Sequence, residues 1–268
     1  DNHQINTKVS INGGAGKDSI KNFGTYTKVL GGEADDTILN YGGTNSKIYG
    51  GEGNDRILNG WLWDSDKEKT IWGINTTISG GAGNDSIQNW CDTVSIAGGA
   101  GNDSIWNGTS SSSAGGAKVT ISGGDGNDYI VNWGKSIKVA GGAGNDSIWG
   151  YTGNDSLRGD AGNDKIIGDA GNDTLWGGKG NDSLWGGNGA DKFIYASGDG
   201  KDAIFGFENS DMLKITGTFS TSYSKSKGEI YFKVGSTANA ITLKDFSATS
   251  FNINGTNYKI SGSKLVKK

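Results

Sequence analysis

The sequence predicts an all-β fold, a right-handed parallel solenoid of about ten 18-residue coils closed by a C-terminal β cap. Two observations predict the coils and a third predicts the cap. Aspartates recur at fixed steps, each behind a glycine-rich turn, and aliphatic residues recur at the same step on both sides of those turns. After residue 211 the repeat stops and the chain alternates in strand fashion.

The turns read Gly141-Gly-Ala-Gly-Asn-Asp146, Gly159-Asp-Ala-Gly-Asn-Asp164, Gly168-Asp-Ala-Gly-Asn-Asp173 and Gly177-Gly-Lys-Gly-Asn-Asp182, each followed by Ser, Thr or Lys and then by Ile or Leu. One series of loop aspartates runs Asp18, Asp36, Asp55, Asp85, Asp103, Asp128, Asp146, Asp164, Asp182 and Asp202, at steps of 18, 19, 30, 18, 25, 18, 18, 18 and 20. A second runs Asp155, Asp173, Asp191 and Asp211, at steps of 18, 18 and 20. Glycine accepts positive φ and lets neighbouring backbones approach closely, so such turns expose carbonyls beside each carboxylate.

Calcium takes six to eight oxygen ligands at about 2.3–2.6 Å, from carboxylates and carbonyls alike. One loop cannot supply that number, but loops one coil apart stack, and an ion between them draws on both. The candidate ligands are therefore the fourteen loop aspartates and the glycine loops at Gly14, Gly16, Gly32, Gly51, Gly53, Gly81, Gly83, Gly99, Gly101, Gly124, Gly126, Gly142, Gly144, Gly153, Gly162, Gly171, Gly178, Gly180, Gly187 and Gly189. Stacked loop pairs imply roughly 8–12 calcium ions. Gly-Asn-Asp also makes good ion-free turns, since Asn and Asp tolerate left-handed backbone. A long column of carboxylates at coil spacing, however, repels itself unless cations sit between the rungs.

Two aliphatic columns supply the core. One lies two residues after each loop Asp, from Ile20, Ile38 and Ile57 to Leu184; the other lies just before each loop, from Ile11, Val29 and Ile48 to Leu175. So narrow a core is a weak offset to the ordering entropy of many glycines, and the fold is expected to need its ions. Residues 1–140 are read as coils with calcium loops on one edge only. Their opposite edge carries Asn22, Asn40, Asn59, Asn89, Asn107 and Asn132, four residues after each loop Asp, and often an aromatic next to them, as in Phe23, Tyr41, Trp90 and Trp133. Stacked Asn side chains hydrogen-bond along the coil axis, and stacked rings add contact. The same rings could alternatively bind a glycan. Residues 141–211 are read as coils with calcium loops on both edges, and residues 212–268 as the β cap, with Asn254-Gly255 as a hairpin turn.

Two insertions lengthen coils beside the Asn edge, by 12 residues around Trp61–Trp72 and by 7 around Gly108–Gly116. The tryptophans Trp61, Trp63 and Trp72 are expected to fold back as a lid. A further apolar set, Leu39, Leu58, Trp106, Val131, Trp149, Ile167 and Trp185, is expected to face outward as a contact surface.

The repeat GGxGxDxUx, with U aliphatic, resembles the repeats-in-toxin (RTX) calcium-binding family across residues 13–211. That resemblance implies a parallel β-roll, calcium as the bound ion, and a secreted, extracellular or cell-surface protein of a Gram-negative bacterium. It also implies a type I secretion exporter as partner, reading an uncleaved C-terminal signal. The ending Lys264-Leu-Val-Lys-Lys268 departs from the acidic and hydrophobic ending of many relatives.

Composition narrows the remaining classes. A formal charge of −4, a pI near 5.1, and arginine at Arg56 and Arg158 only argue against nucleic acid as partner. Cys91 is alone, so no intrachain disulfide framework forms, and no apolar run is long enough for a transmembrane helix. The sole histidine, His3, has no triad or metal partner in the repeats, and ion-saturated loop carboxylates cannot do acid-base work. Asp64, Asp66 and Glu68 stand near one another on an insertion. No catalytic residue is predicted; catalysis, if any, is expected in an upstream domain, because the first coil at Ile11 begins without cover. The function read here is a calcium-binding module of a secreted protein, supporting export or display of that upstream domain. Alternatives are an adhesin or carbohydrate-binding module, and the C-terminal part of a secreted hydrolase. An ice-binding threonine array is disfavoured, because Lys28, Lys47 and Lys138 interrupt the column of Thr77 and Thr120.

Overall fold

The structure, a computed structural model, describes residues 8–64, 69–108, 118–224 and 226–268, with the side chains of 61–64, 69–72, 238–239 and 264 left aside. The chain divides into two compact units, Asp1–Lys138 and Val139–Lys268. Each is a parallel β-solenoid.

In the first unit successive strands pass alternately into two sheets. One sheet pairs Ser10–Ala15, Lys28–Glu33, Lys47–Glu52, Thr77–Ala82, Ser95–Ala100 and Thr120–Asp125, all in parallel. The other pairs Ser19–Asn22, Thr37–Tyr41, Arg56–Asp64, Ser86–Asn89, Ser104–Asn107 and Tyr129–Asn132. Alternation along each strand sends every second side chain inward. Val29, Ile48, Ile78, Ile96 and Ile121 thus form one buried column, and Ile20, Ile38, Ile57, Ile87, Ile105 and Ile130 the facing one. Ile11, in the first coil, is only half-buried.

Both insertions leave the register intact. Ile57 pairs with Ile87 across a 30-residue interval and Ile105 with Ile130 across 25, as if the extra residues were absent. Part of the first insertion is an antiparallel ribbon, with Trp61 opposite Trp72 and Asp64 opposite Lys69. The proposed tryptophan lid lies outside the described side chains, and most of the second insertion lies outside the described residues. Two members of the expected outward set are instead covered: Leu58 and Val131 are buried. The outward position was right by strand parity, but parity cannot reveal what overlies a sheet.

In the second unit, Ser156–Ala161, Thr174–Lys179, Lys192–Ala196, Met212–Thr216 and Phe251–Ile253 pair in parallel. Beside them run Ser147–Trp149, Lys165–Ala170, Ser183–Asn188, Asp202–Phe205 and Thr237–Lys244. The parallel order then ends in antiparallel strands: Thr256–Ser261 and Lys264–Lys267 on one sheet, Glu229–Val234 and Phe219–Ser224 on the other. Asn254-Gly255 makes the predicted hairpin, with both residues at positive φ (51° and 78°) as a type I′ turn requires. Aromatic residues thicken the core here: Phe193, Tyr195, Phe207, Phe232 and Phe251 are fully buried.

Candidate metal centre

Local backbone chemistry sets the loops. Each candidate glycine has positive φ, from 94° at Gly16 to 145° at Gly189. At Gly32 close approach adds a second constraint, because a Cβ there would collide with the Gly14 carbonyl of the preceding coil. Ala34, Asp160 and Asp169 hold equivalent loop positions at φ of 73°, 82° and 78° without being glycine.

The loop aspartates then stack. The backbone N–H of each Asp donates to Oδ1 of the Asp one coil later: Asp18 to Asp36 at 2.8 Å, Asp36 to Asp55 at 2.8 Å, Asp55 to Asp85 at 2.7 Å, Asp85 to Asp103 and Asp103 to Asp128 at 2.8 Å. In the second unit one row runs Asp146, Asp164, Asp182, Asp202 and the other Asp155, Asp173, Asp191, Asp211. The structure therefore gathers all fourteen predicted aspartates into ladders.

Only one carboxylate oxygen is used by this ladder. Oδ2 of Asp18, Asp36, Asp55, Asp85, Asp103, Asp164, Asp173, Asp182, Asp191 and Asp202 is buried without a hydrogen-bond partner. Asp211 differs, since its Oδ2 accepts the Glu208 N–H at 2.8 Å. A buried oxygen left unpaired costs about 1–3 kcal/mol, more when charged. The neighbour of each Oδ2 sharpens the problem. A Cβ placed on Gly13 would lie 2.5 Å from both Asp18 Oδ2 and the Gly31 carbonyl, and the same pairing of own-loop carboxylate with next-coil carbonyl recurs at Gly31, Gly50, Gly80, Gly98, Gly159 and Gly168. A carboxylate oxygen without a donor and a carbonyl oxygen of the next coil thus flank the same glycine position. These first-position glycines were not among the predicted ligands, although their recurrence before each candidate pair was visible.

Burial sets the proton affinity of these groups. It pushes Asp85 and Asp164 up to about 7, and Asp55, Asp173 and Asp211 up to about 6, with neighbouring carboxylates adding to the rise and backbone N–H donors opposing it. Asp103 and Asp191 are also raised by burial. Asp182 and Asp202 are raised by burial and interact directly, each feeling Asp199 as well.

A second ladder, absent from the sequence reading, runs beside the first. Where an Asn stands immediately before the loop Asp, its side chain accepts the backbone N–H of its counterpart one coil later: Asn54 from Asn84 at 2.7 Å, Asn84 from Asn102 at 2.6 Å, Asn102 from Asn127 at 2.7 Å, Asn145 from Asn163 at 2.7 Å and Asn154 from Asn172 at 2.8 Å. Asp and Asn rungs therefore point in opposite directions along the stack. Recurrence of Asn before Asp was the available signal. Where Asp35 replaces this Asn, it accepts from Asn54 N–H and pairs with Lys17 at 2.6 Å on the surface.

Along the opposite edge of the first unit the predicted Asn column forms. Nδ2 of Asn22 donates to Oδ1 of Asn40 at 2.6 Å, and the chain continues through Asn59, Asn89, Asn107 and Asn132 at 2.6–2.7 Å, all fully buried. Phe23 and Tyr41 stack with centroids 5.8 Å apart. In the second unit Trp185 and Phe205 stack at 4.4 Å and 7°. Lys165 and Lys244 lie over the Trp185 and Phe205 rings in turn. Cys91 lies buried at this edge with its thiol directed at the Gly60 carbonyl, and burial pushes it up to about 12.

Hard oxygen donors, carbonyls turned by positive-φ glycines and unpartnered buried carboxylate oxygens are the donor set calcium takes. Among the described residues no three His, Cys, Asp or Glu side chains converge, so a cation here would draw most ligands from the backbone. Fold and site together define a parallel β-roll with oxygen-lined loop ladders. The RTX calcium-binding nonapeptide repeat profile matches residues 30–61, 74–88, 95–109, 113–133, 138–166, 159–193 and 167–201, more than half of the chain. The chain belongs to that family, whose repeat is a calcium-binding structural unit. No curated protein matches it significantly. Among solved structures it is similar to the extracellular lipase LipA from Serratia marcescens, at 16% identity and a TM-score of 0.34, over 80% of this chain and 38% of the lipase. The chain thus spans well under half the length of that structure.

Proposed function

We propose that this chain is the calcium-folded module of a secreted protein, ordered by ions outside the cell and serving export or display of a domain elsewhere in the same polypeptide. The observation that carries the reading is the row of buried, unpartnered Asp Oδ2 atoms, seven of which, on Asp18, Asp36, Asp55, Asp85, Asp103, Asp164 and Asp173, share a glycine position with a carbonyl of the next coil. The fourteen loop aspartates and the loop carbonyls would hold the ions. Bound calcium supplies charge compensation and links between coils, not chemistry on a substrate. Where calcium is scarce the carboxylates oppose stacking and the chain stays threadable through a type I exporter; where calcium is plentiful the rungs close. Family membership supports a secreted location.

Calcium titration of the chelator-treated chain, followed by far-ultraviolet circular dichroism, tests this. A cooperative gain of β signal saturating at roughly 8–12 ions per chain is expected. A chain already folded in excess chelator would overturn it.

A further inference from the structure

The formal charge of −4 conceals two opposite ends. Residues 212–268 contain nine lysines against Glu229 and Asp245, a formal +7, which leaves −11 on residues 1–211. The acidic excess includes the loop aspartates, which calcium would neutralise; the basic excess contains no loop Asp beyond residue 211 and is permanent. Each calcium adds two charges, so about ten ions would carry the chain to a net charge on the order of +16.

Lys214, Lys227, Lys233, Lys259, Lys267 and Lys268 are all exposed, and among the described residues none forms an ion pair. Glu229 is engaged by the Tyr231 hydroxyl. The lysines lie on both sheets: Lys214 and Lys259 on the one ending at Lys264–Lys267, Lys233 on the one ending at Phe219–Ser224. We infer that this basic segment docks an anionic polysaccharide, bearing sulfate, phosphate or uronate groups, when the chain is loaded with calcium. A planar membrane meets one face, whereas a flexible polymer can reach lysines on two. Among the described residues Val266 is the only exposed large apolar side chain in this segment, too little for insertion into lipid. Among the described residues no exposed aromatic is present there to stack on nucleic-acid bases, and the segment has no arginine to fork onto them. Lysine is a hydrated point charge, so recognition should be by charge density and sensitive to salt.

The test uses the full chain saturated with calcium, dextran sulfate as the probe and neutral dextran as the control. Dextran sulfate should bind and dextran should not, with log affinity falling against log salt at a slope of roughly −4 to −5 if six charges are engaged. Replacing the six lysines by Gln should weaken binding at least a hundredfold while the calcium-induced circular dichroism is unchanged; if that variant misfolds, Lys259→Gln with Lys268→Gln should still cost several-fold. Equal binding to dextran, or no loss in both variants, would overturn the inference. So would tighter binding to phosphatidylserine vesicles or to duplex DNA at matched charge. This inference rests on the calcium reading for its loaded state, and the two fail differently: without calcium-driven folding the dichroism is flat, whereas without docking the dichroism responds and dextran sulfate does not bind.

Discussion

The two edges of the first unit solve the same problem with different chemistry. Both must stack a polar side chain coil upon coil in a dry interior. On the asparagine edge the amide carries a donor and an acceptor, so Asn40 both gives to Asn59 and receives from Asn22, and the ladder closes on itself. On the aspartate edge the carboxylate only accepts. One oxygen takes a backbone N–H and the other is left over, against a carbonyl that has no proton to offer. A self-satisfied edge needs nothing further; a deficient edge is conditional on something supplied from solution. Combining them makes a fold whose polar side chains are satisfied internally along one side and depend on solution along the other.

The largest expected effect removes the conditional component altogether. Excess chelator at neutral pH should convert the chain to a largely disordered state by circular dichroism, and added calcium should restore it. Ligand binding only the native state contributes about 1.4 kcal/mol per site at ten times Kd, which over roughly ten sites matches the whole stability of an ordinary domain. Magnesium, which dehydrates reluctantly and demands tight octahedral geometry, should restore little.

Protons should partly replace the ion. Carboxylates held up at about 6 to 7, such as Asp55, Asp85 and Asp164, keep their protons in the folded ion-free chain at a pH where the unfolded chain has lost them. The folded state then binds more protons, so ion-free stability is greatest below the ordinary carboxylate value near 4 and falls as pH rises toward 7. In chelator, β signal should therefore grow on acidification from pH 7.5 to 5, while the calcium midpoint should rise over the same interval. A calcium-free chain with more β structure at pH 7.5 than at pH 5 would contradict the burial of these groups.

Single substitutions separate the edges. Asp85→Ala should raise the calcium midpoint several-fold and lower the number of ions bound, whereas Asp64→Ala, on the inserted ribbon, should leave both unchanged. Asn89→Ala should leave ion number unchanged yet destabilise the calcium-loaded fold by about 1–3 kcal/mol, because it removes the hydrogen bonds that Asn89 accepts from Asn59 and donates to Asn107. Isothermal titration and thermal melts in calcium read the two effects independently. The smallest effect concerns the turn after the Asn ladder, where Thr93 sits at φ 59° and Asn45 and Asn75 hold φ of 55°. A β-branched residue is poorly suited to that region, so Thr93→Asn should stabilise by about 1 kcal/mol, visible as a Tm rise of a few degrees.

Much of this was legible because repeats turn geometry into arithmetic. Spacing placed Asp85 over Asp103 and Asn40 over Asn59, and parity placed Ile38 inside. What spacing could not show was direction and proximity. That Asn54 accepts while Asp55 sends its N–H the other way depends on backbone orientation at the turn, not on period. That Gly50 must be glycine depends on where the Asp55 carboxylate swings. The closing strands were harder still, since Phe219–Ser224 is mostly Ser and Thr and has no apolar alternation to announce it.

The insertions carry one further consequence. Twelve and seven extra residues enter beside Asn59 and Asn107 without displacing a single pairing on either side. Length is therefore nearly free at the Asn edge of the first unit; on the aspartate edge the only comparable change among the described loops is the two extra residues before Asp202, where the Asp182 N–H still reaches Asp202 Oδ1 but at 3.2 Å instead of 2.7–2.8 Å. Foreign peptides spliced after Gly60 or Gly108 should be displayed there at intervals set by the coil rise, making the first unit a ruler with its divisions on one side.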